Sequence, residues 1–178
     1  YRDIGEARIE LNHYKKAKKN LDEAINLYKE NNTEDSYAYS LRGMAKAGVG
    51  NYEEAIKDYD IAIKLNPNNS EIYYFKGISL ISLENDEEAI KNFDEVIRLE
   101  KNTARLALGY YVRANSKYFL KQYEESIKDY DKAIEIERNN ADFYYKKAEA
   151  KKELNLYDEV FENYNIAIRL NPNNADFY

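Results

Sequence analysis

The chain has 178 residues, of which 34% are charged and 44% apolar, with a net charge of −6 and no cysteine. Disulfides, cysteine-based zinc sites and thiol catalysis are therefore excluded, and the acidic balance argues against nucleic acid, which needs a basic face. No run approaches the roughly 18 consecutive apolar residues of a membrane helix, and two prolines with six glycines are too few for the turns of an all-β fold.

Taken in chain order, the sequence repeats. A tyrosine recurs at Tyr1, Tyr39, Tyr73, Tyr110, Tyr144 and Tyr178, at intervals of 38, 34, 37, 34 and 34 residues. The base period is 34, with extra residues near positions 30–36 and 102–107. The repeats run approximately over 1–35, 36–69, 70–106, 107–140 and 141–174, and a sixth starts at 175–178. Four residues after the tyrosine stands a small residue: Gly5, Gly43, Gly77, Ala114 or Ala148. Further on come Ala17, Ala55, Ala89, Ser126 and Val160, then the large residues Leu21, Tyr59, Phe93, Tyr130 and Tyr164, then Ala24, Ala62, Val96, Ala133 and Ala167. Spacings of 3 and 4 place these columns on one helical face. Each repeat thus reads as two amphipathic helices joined near Tyr14, Tyr52, Asp86, Tyr123 or Tyr157. Asn pairs closing most repeats supply helix caps, and Pro67 and Pro172 stop the preceding helix.

The 34-residue period and the order aromatic, Gly/Ala, Ala, Tyr/Phe, Ala, Pro resemble the tetratricopeptide repeat over nearly the whole chain. That resemblance implies an all-α fold, an α–α superhelix: a right-handed solenoid of antiparallel hairpins whose first helices line a concave groove. It implies a single array that scaffolds proteins or peptide segments. Both ends fall inside a repeat without the polar caps a solenoid needs, so the sequence reads as a fragment of a longer protein. The compartment is left open, with the cytoplasm favoured by the lack of cysteine and of a signal-like start.

One column departs from the family pattern, which has Leu three residues past the tyrosine. Here stand Ile4, Arg42, Lys76, Arg113 and Lys147, while the second helices carry Asn20, Asp58, Asn92, Asp129 and Asn163. Arginine coincides with aspartate in two repeats. A buried charge needs a partner, and the arginine fork suits a carboxylate. Arg42–Asp58 and Arg113–Asp129 are therefore expected to be structural ion pairs between helices; the alternative is that the cations snorkel to solvent.

Little suggests catalysis. His13 is the single histidine and falls at a turn, and the glycines form no phosphate loop. The pairs Glu53–Glu54, Glu87–Glu88 and Glu124–Glu125 open successive second helices, where negative charge suits the helix dipole. The chain is read as a non-enzyme without cofactor or metal.

The inward face of the first helices would carry recognition. The middle repeats offer Tyr37, Leu41 and Met44, then Tyr74, Phe75 and Ile78, then Leu108, Tyr111, Val112, Asn115 and Phe119. Tyr74, Tyr111 and Tyr145 could instead pack between adjacent first helices. The end repeats are charged and mostly acidic, through Arg2, Asp3, Glu6 and Glu10, and through Asp142, Lys146, Glu149 and Glu153. An apolar centre with acidic flanks suits a protein or peptide with apolar anchors and basic flanks.

The family's best-known ligand, a chaperone's C-terminal carboxylate tail, is held by Lys and Asn one turn apart, then Asn, then Lys and Arg in successive repeats. Those places hold Arg2, Glu6, Leu41, Glu71 and Phe75 from the first repeat, and Ser40, Met44, Phe75, Leu108 and Val112 from the second. From the third they hold Tyr74, Ile78, Val112, Asp142 and Lys146; the fourth starts with Tyr111, Asn115 and Lys146 but meets Asp176. Chaperone tails are rejected as partners. Two alternatives to the scaffold remain: a self-association module giving a homo-oligomer, and the regulatory region of a larger enzyme.

Overall fold

The computed structural model describes residues 1–177, so Tyr178 of the tyrosine column lies outside the described residues. These residues form ten α-helices and a closing 3-10 turn, with no strand among them. By contacts the chain divides into two units, residues 1–85 and 86–178.

The first unit holds α1 (Arg2–Glu10), α2 (Tyr14–Glu30), α3 (Ser36–Ala47), α4 (Tyr52–Leu65) and α5 (Ser70–Ser82). Each helix packs on the next, and the first helices α1, α3 and α5 also touch in sequence. The second unit holds α6 (Asp86–Leu99), α7 (Thr103–Phe119), α8 (Tyr123–Ile136), α9 (Ala141–Glu153), α10 (Tyr157–Leu170) and the turn Ala175–Phe177. There too successive helices pack together, and α7 touches α9.

Small residues permit the close approach within a hairpin. A Cβ on Gly43 would lie 2.6 Å from Tyr59 Cε1, and one on Gly5 would lie 2.6 Å from Leu21 Cγ. Around these contacts Ile25, Ala38, Tyr39, Ala55, Tyr59, Ala62 and Ile72 form one core of the first unit, and Ala17, Leu21, Leu41 and Ala45 another. In the second unit Ala114, Tyr130 and Ala150 form one cluster, and Ala107, Ala133 and Phe143 another. Burial pushes the Tyr59 and Tyr130 hydroxyls up from their ordinary pKa. Ser126, which takes the alanine column's place in the fourth repeat, donates its hydroxyl to Ala114 O at 3.0 Å. The polar substitution is thereby satisfied.

Start signals differ between the two kinds of helix. Asp35, Asn69, Asn102 and Asn140 cap first helices, each accepting a backbone N–H of its helix. The second helices α2, α4, α8 and α10 begin with no side-chain cap bond. Carboxylates in the first turns of α4, α6, α8 and α10 favour the dipole instead. Several also pair three residues on: Glu54 with Lys57, Glu88 with Lys91 at 2.7 Å, and Glu125 with Lys128 at 3.6 Å. These are helix-end electrostatics.

The turns inside the hairpins pass through left-handed backbone at Asn12, Gly50, Glu84, Lys121 and Asn155, with φ between 56° and 84°. The following N–H bonds back to the first helix at each, as Asn51 N does to Lys46 O at 3.0 Å and Gln122 N to Lys117 O at 2.9 Å. This is the glycine-type helix ending of Schellman form, occupied by glycine only at Gly50.

The irregular repeat lengths have a local cause. Helix α2 is three residues longer than α4 and is followed by a five-residue connection rather than four. Helix α7 is four residues longer than α9, after a connection one residue shorter than the one before α9. The extra residues are mostly absorbed as added helical turn.

Candidate functional site

Two kinds of polar and apolar assembly recur on the hairpins: an ionic interlock and the face of the first helices.

Arg42 on α3 donates from Nε to Asp58 Oδ2 at 2.8 Å and from an outer nitrogen to Asp58 Oδ1 at 2.7 Å. Its remaining nitrogen donates to Asp22 Oδ1 on α2 at 3.0 Å, and the guanidinium lies 5.5 Å from the Tyr39 ring centre. Lys46, one turn on, reaches Asp58 Oδ2 at 2.8 Å. The second unit repeats the arrangement: Arg113 forks onto Asp129 at 2.7 and 2.6 Å, reaches Asp94 at 2.5 Å and lies 5.5 Å from the Tyr110 ring, while Lys117 meets Asp129 at 2.7 Å. For both arginines burial works against the charge, but the aspartate bonds prevail and raise the pKa.

The lysines of the same column behave differently. Lys76 meets Asp60 at 2.8 Å and Lys147 meets Asp131 at 2.5 Å, in each case on the preceding second helix. A lysine has no fork to divide between two carboxylates. Where asparagine replaces aspartate it turns onto its own helix: Asn92 donates to Glu88 O at 2.8 Å and Asn163 to Glu159 O at 2.6 Å. In the first hairpin Asn20 accepts instead from Arg8.

Two sets of residues in this interlock escape a reading confined to the arginine column and the aspartate column opposite it. Asp22, Asp60, Asp94 and Asp131 recur at the repeat spacing and receive the next hairpin's cation. Lys46 and Lys117 supply a second charge to the buried aspartate. Both signals lay in the register already drawn from the tyrosines.

On the first-helix face the two units differ. In the first unit a cleft of about 310 Å³ is lined by Ile9, Met44, Tyr52, Phe75, Ile78 and Ser82 among others. A second, of about 180 Å³, lies among Glu6, Ile9, Glu10, Tyr37, Ser40, Leu41, Met44 and Glu71. Tyr37 donates to the Glu6 carboxylate, which together with burial pushes its hydroxyl up to about 12. Tyr74 stands edge-on to Phe75 with ring centres 5.6 Å apart.

Leu41 and Val112, expected as exposed groove residues, need correcting: they are 3% and 7% exposed and belong to the core. Leu41 packs with Ala17, Leu21 and Ala45, because small residues on α2 and α3 let the helices close over it. In the second unit Tyr111 packs on Phe143, 4.9 Å away, and Asn115 accepts from Tyr130 at 2.6 Å. Those two side chains are committed to neighbouring helices, while Leu108 and Phe119 remain exposed. His13 is exposed ahead of α2. Among the described residues no group of His, Cys, Asp or Glu could hold a metal ion, and no helix is long and apolar enough to cross a membrane.

Helix hairpins at this period, with small and aromatic residues interlocking in register, define a helical-repeat protein. Family models described as tetratricopeptide repeat match residues 36–69 and residues 3–31, 70–103 and 141–174, and one described as TPR repeat matches 114–155. The chain belongs to the tetratricopeptide repeat family. A crystal structure of MamA is similar over 99% of both chains, at 20% identity and a TM-score of 0.86. MamA 41-end from Desulfovibrio magneticus RS-1 is similar over 98% of this chain and 95% of its own, at 20% identity and 0.84. YrrB, described as a TPR protein with an unusual peptide-binding site, is similar over 97% and 86%, at 18% identity and 0.80. At these identities the likeness is one of fold. No curated protein matches the chain.

Proposed function

We propose that the chain is a non-catalytic scaffold that binds a peptide or partner segment along the face of its first helices. The observation that carries this reading is the pair of clefts lined from α1, α3 and α5, both by Ile9 and Met44 and the larger also by Phe75 and Ile78. Partly buried apolar side chains lining a concavity suit hydrophobic anchors from a partner. The peptide-binding description of YrrB is consistent with it. In the second unit the corresponding first-helix side chains Tyr111, Val112 and Asn115 are engaged in packing within that unit.

Affinity capture followed by mass spectrometry tests the reading, comparing the wild-type chain with Met44→Glu and Phe75→Glu. Loss of the captured partner at unchanged helical content supports it. Capture that persists in both variants overturns it.

Self-association is the second reading, supported by Phe119 and Phe161, which are 66% and 67% exposed. Light scattering over a concentration series decides it; a constant monomer mass removes it.

A further inference from the structure

The smaller cleft of the first unit has a chemistry of its own. It is lined by the apolar Ile9, Leu41 and Met44, of which Leu41 is buried and the others half-buried, and by three carboxylates, of which Glu6 is half-buried and Glu10 and Glu71 are exposed. Glu6 and Glu10 stand one turn apart on α1, and Glu71 comes from the start of α5. No lysine or arginine lines it. The neighbouring cation, Arg2, is taken up elsewhere: it bonds Asp35 and Asp3, each at 3.0 Å, with its guanidinium over the Tyr37 ring. Glu6 accepts from Tyr37, while Glu10 and Glu71 make no ion pair among the described residues.

We infer that this cleft takes a cationic side chain, lysine or arginine, of the partner segment, and so sets which segments the scaffold accepts. The inference rests on the peptide-binding reading proposed above. Lysine and arginine bury an aliphatic stem along apolar surface and keep the charged end among polar groups. The cleft offers the complementary chemistry, buried and half-buried apolar side chains beside more exposed carboxylates. The charge excludes phosphorylated and acidic segments, which would bring like charge onto Glu6, Glu10 and Glu71. The carboxylates are too dispersed for a metal ion, since no metal-holding group occurs among the described residues.

The test titrates the full chain with short acetylated peptides of the pattern Leu-Xaa-Leu, carrying lysine, arginine, norleucine or glutamate at the central place. Binding is followed by backbone amide shifts of α1, α3 and α5. Lysine or arginine peptides should bind roughly tenfold tighter than norleucine, the scale of one charge-assisted contact, and glutamate weakest. Added salt should erode the cationic advantage. The triple variant Glu6→Gln, Glu10→Gln, Glu71→Gln, isosteric at each place, should lose that advantage, so that lysine, arginine and norleucine peptides bind it alike; a cationic preference that survives the triple variant overturns the inference. Equal binding of norleucine and lysine overturns the charge selection and leaves the groove reading standing. Failure of every peptide, norleucine included, overturns both.

Discussion

Arg42 and Asp58 lie sixteen residues apart in sequence and meet through two parallel hydrogen bonds of 2.8 and 2.7 Å, tying the first helix of a hairpin to the second. Asp58 is 2% exposed and also receives Lys46. Its carboxylate therefore compensates two cations in a poorly solvated place, and it holds a different rank from the surface carboxylates around it.

Asp58→Ala should cost about 3–5 kcal/mol, the scale for leaving a buried partner uncompensated. Asp60→Ala, which removes the half-exposed partner of Lys76, should cost about 1 kcal/mol or less. Urea unfolding of both variants checks the contrast. Equal losses would show that the fork carries no special weight.

Gly50 sits at φ 84° and a Cβ there would meet nothing within 4 Å. Gly50→Ala should therefore cost about 1 kcal/mol through backbone strain alone. The converse, Lys121→Gly at φ 60°, removes that strain at the matching turn and should raise the melting temperature. A fall would show that the Lys121 side chain contributes more than the strain costs.

Gly43→Ala meets a different obstacle, the Tyr59 ring at 2.6 Å. Overpacking of this kind costs about 1–3 kcal/mol, so thermal unfolding should separate it from the milder Gly50→Ala.

Ser116 is fully buried and its hydroxyl has no hydrogen-bond partner among the described residues. The same repeat position is Ala45 in the second hairpin and Ala150 in the fifth, both fully buried. Ser116→Ala should stabilise by about 1 kcal/mol, removing an unsatisfied polar group. A destabilised variant would show that the hydroxyl is satisfied in solution.

Asp35 supplies the acid dependence. Burial works against its charge, but bonds from Arg2 and from the N–H groups of Tyr37 and Ala38 prevail and hold its pKa below the usual 3.8. A lowered folded pKa means stabilisation that is fully present above the unfolded value and lost as the pH falls through the folded one. Asp35→Asn keeps a capping oxygen and should flatten the dependence of unfolding free energy on pH below about 4. An unchanged slope would rule out this assignment.

The helix pairs were legible because their cause is periodic: small and large columns at helical spacing determine which faces close, and the second helices start at Tyr14, Tyr52, Asp86, Tyr123 and Tyr157. The Arg–Asp forks were legible for the same reason, since two columns varied together. The pairing of Arg42 with Asp22 and of Lys147 with Asp131 was not, because those partners lie on different hairpins. The exposure of Leu41 was misjudged from its column: helical phase places it on the first-helix face, but only the packing of α2 against α3 decides how much of it water reaches.

The cations that bridge successive hairpins follow their aspartates by 20, 16, 19 and 16 residues. The wider gaps coincide with the lengthened α2 and α7, whose added residues lie between the charges they separate. The joint is keyed to the bearing of side chains around a helix and takes no count of the chain between them. The last turn of α2 and the first turn of α7 are thus where length can be gained or lost, by drift or by design, with the fit between neighbouring hairpins left as it was.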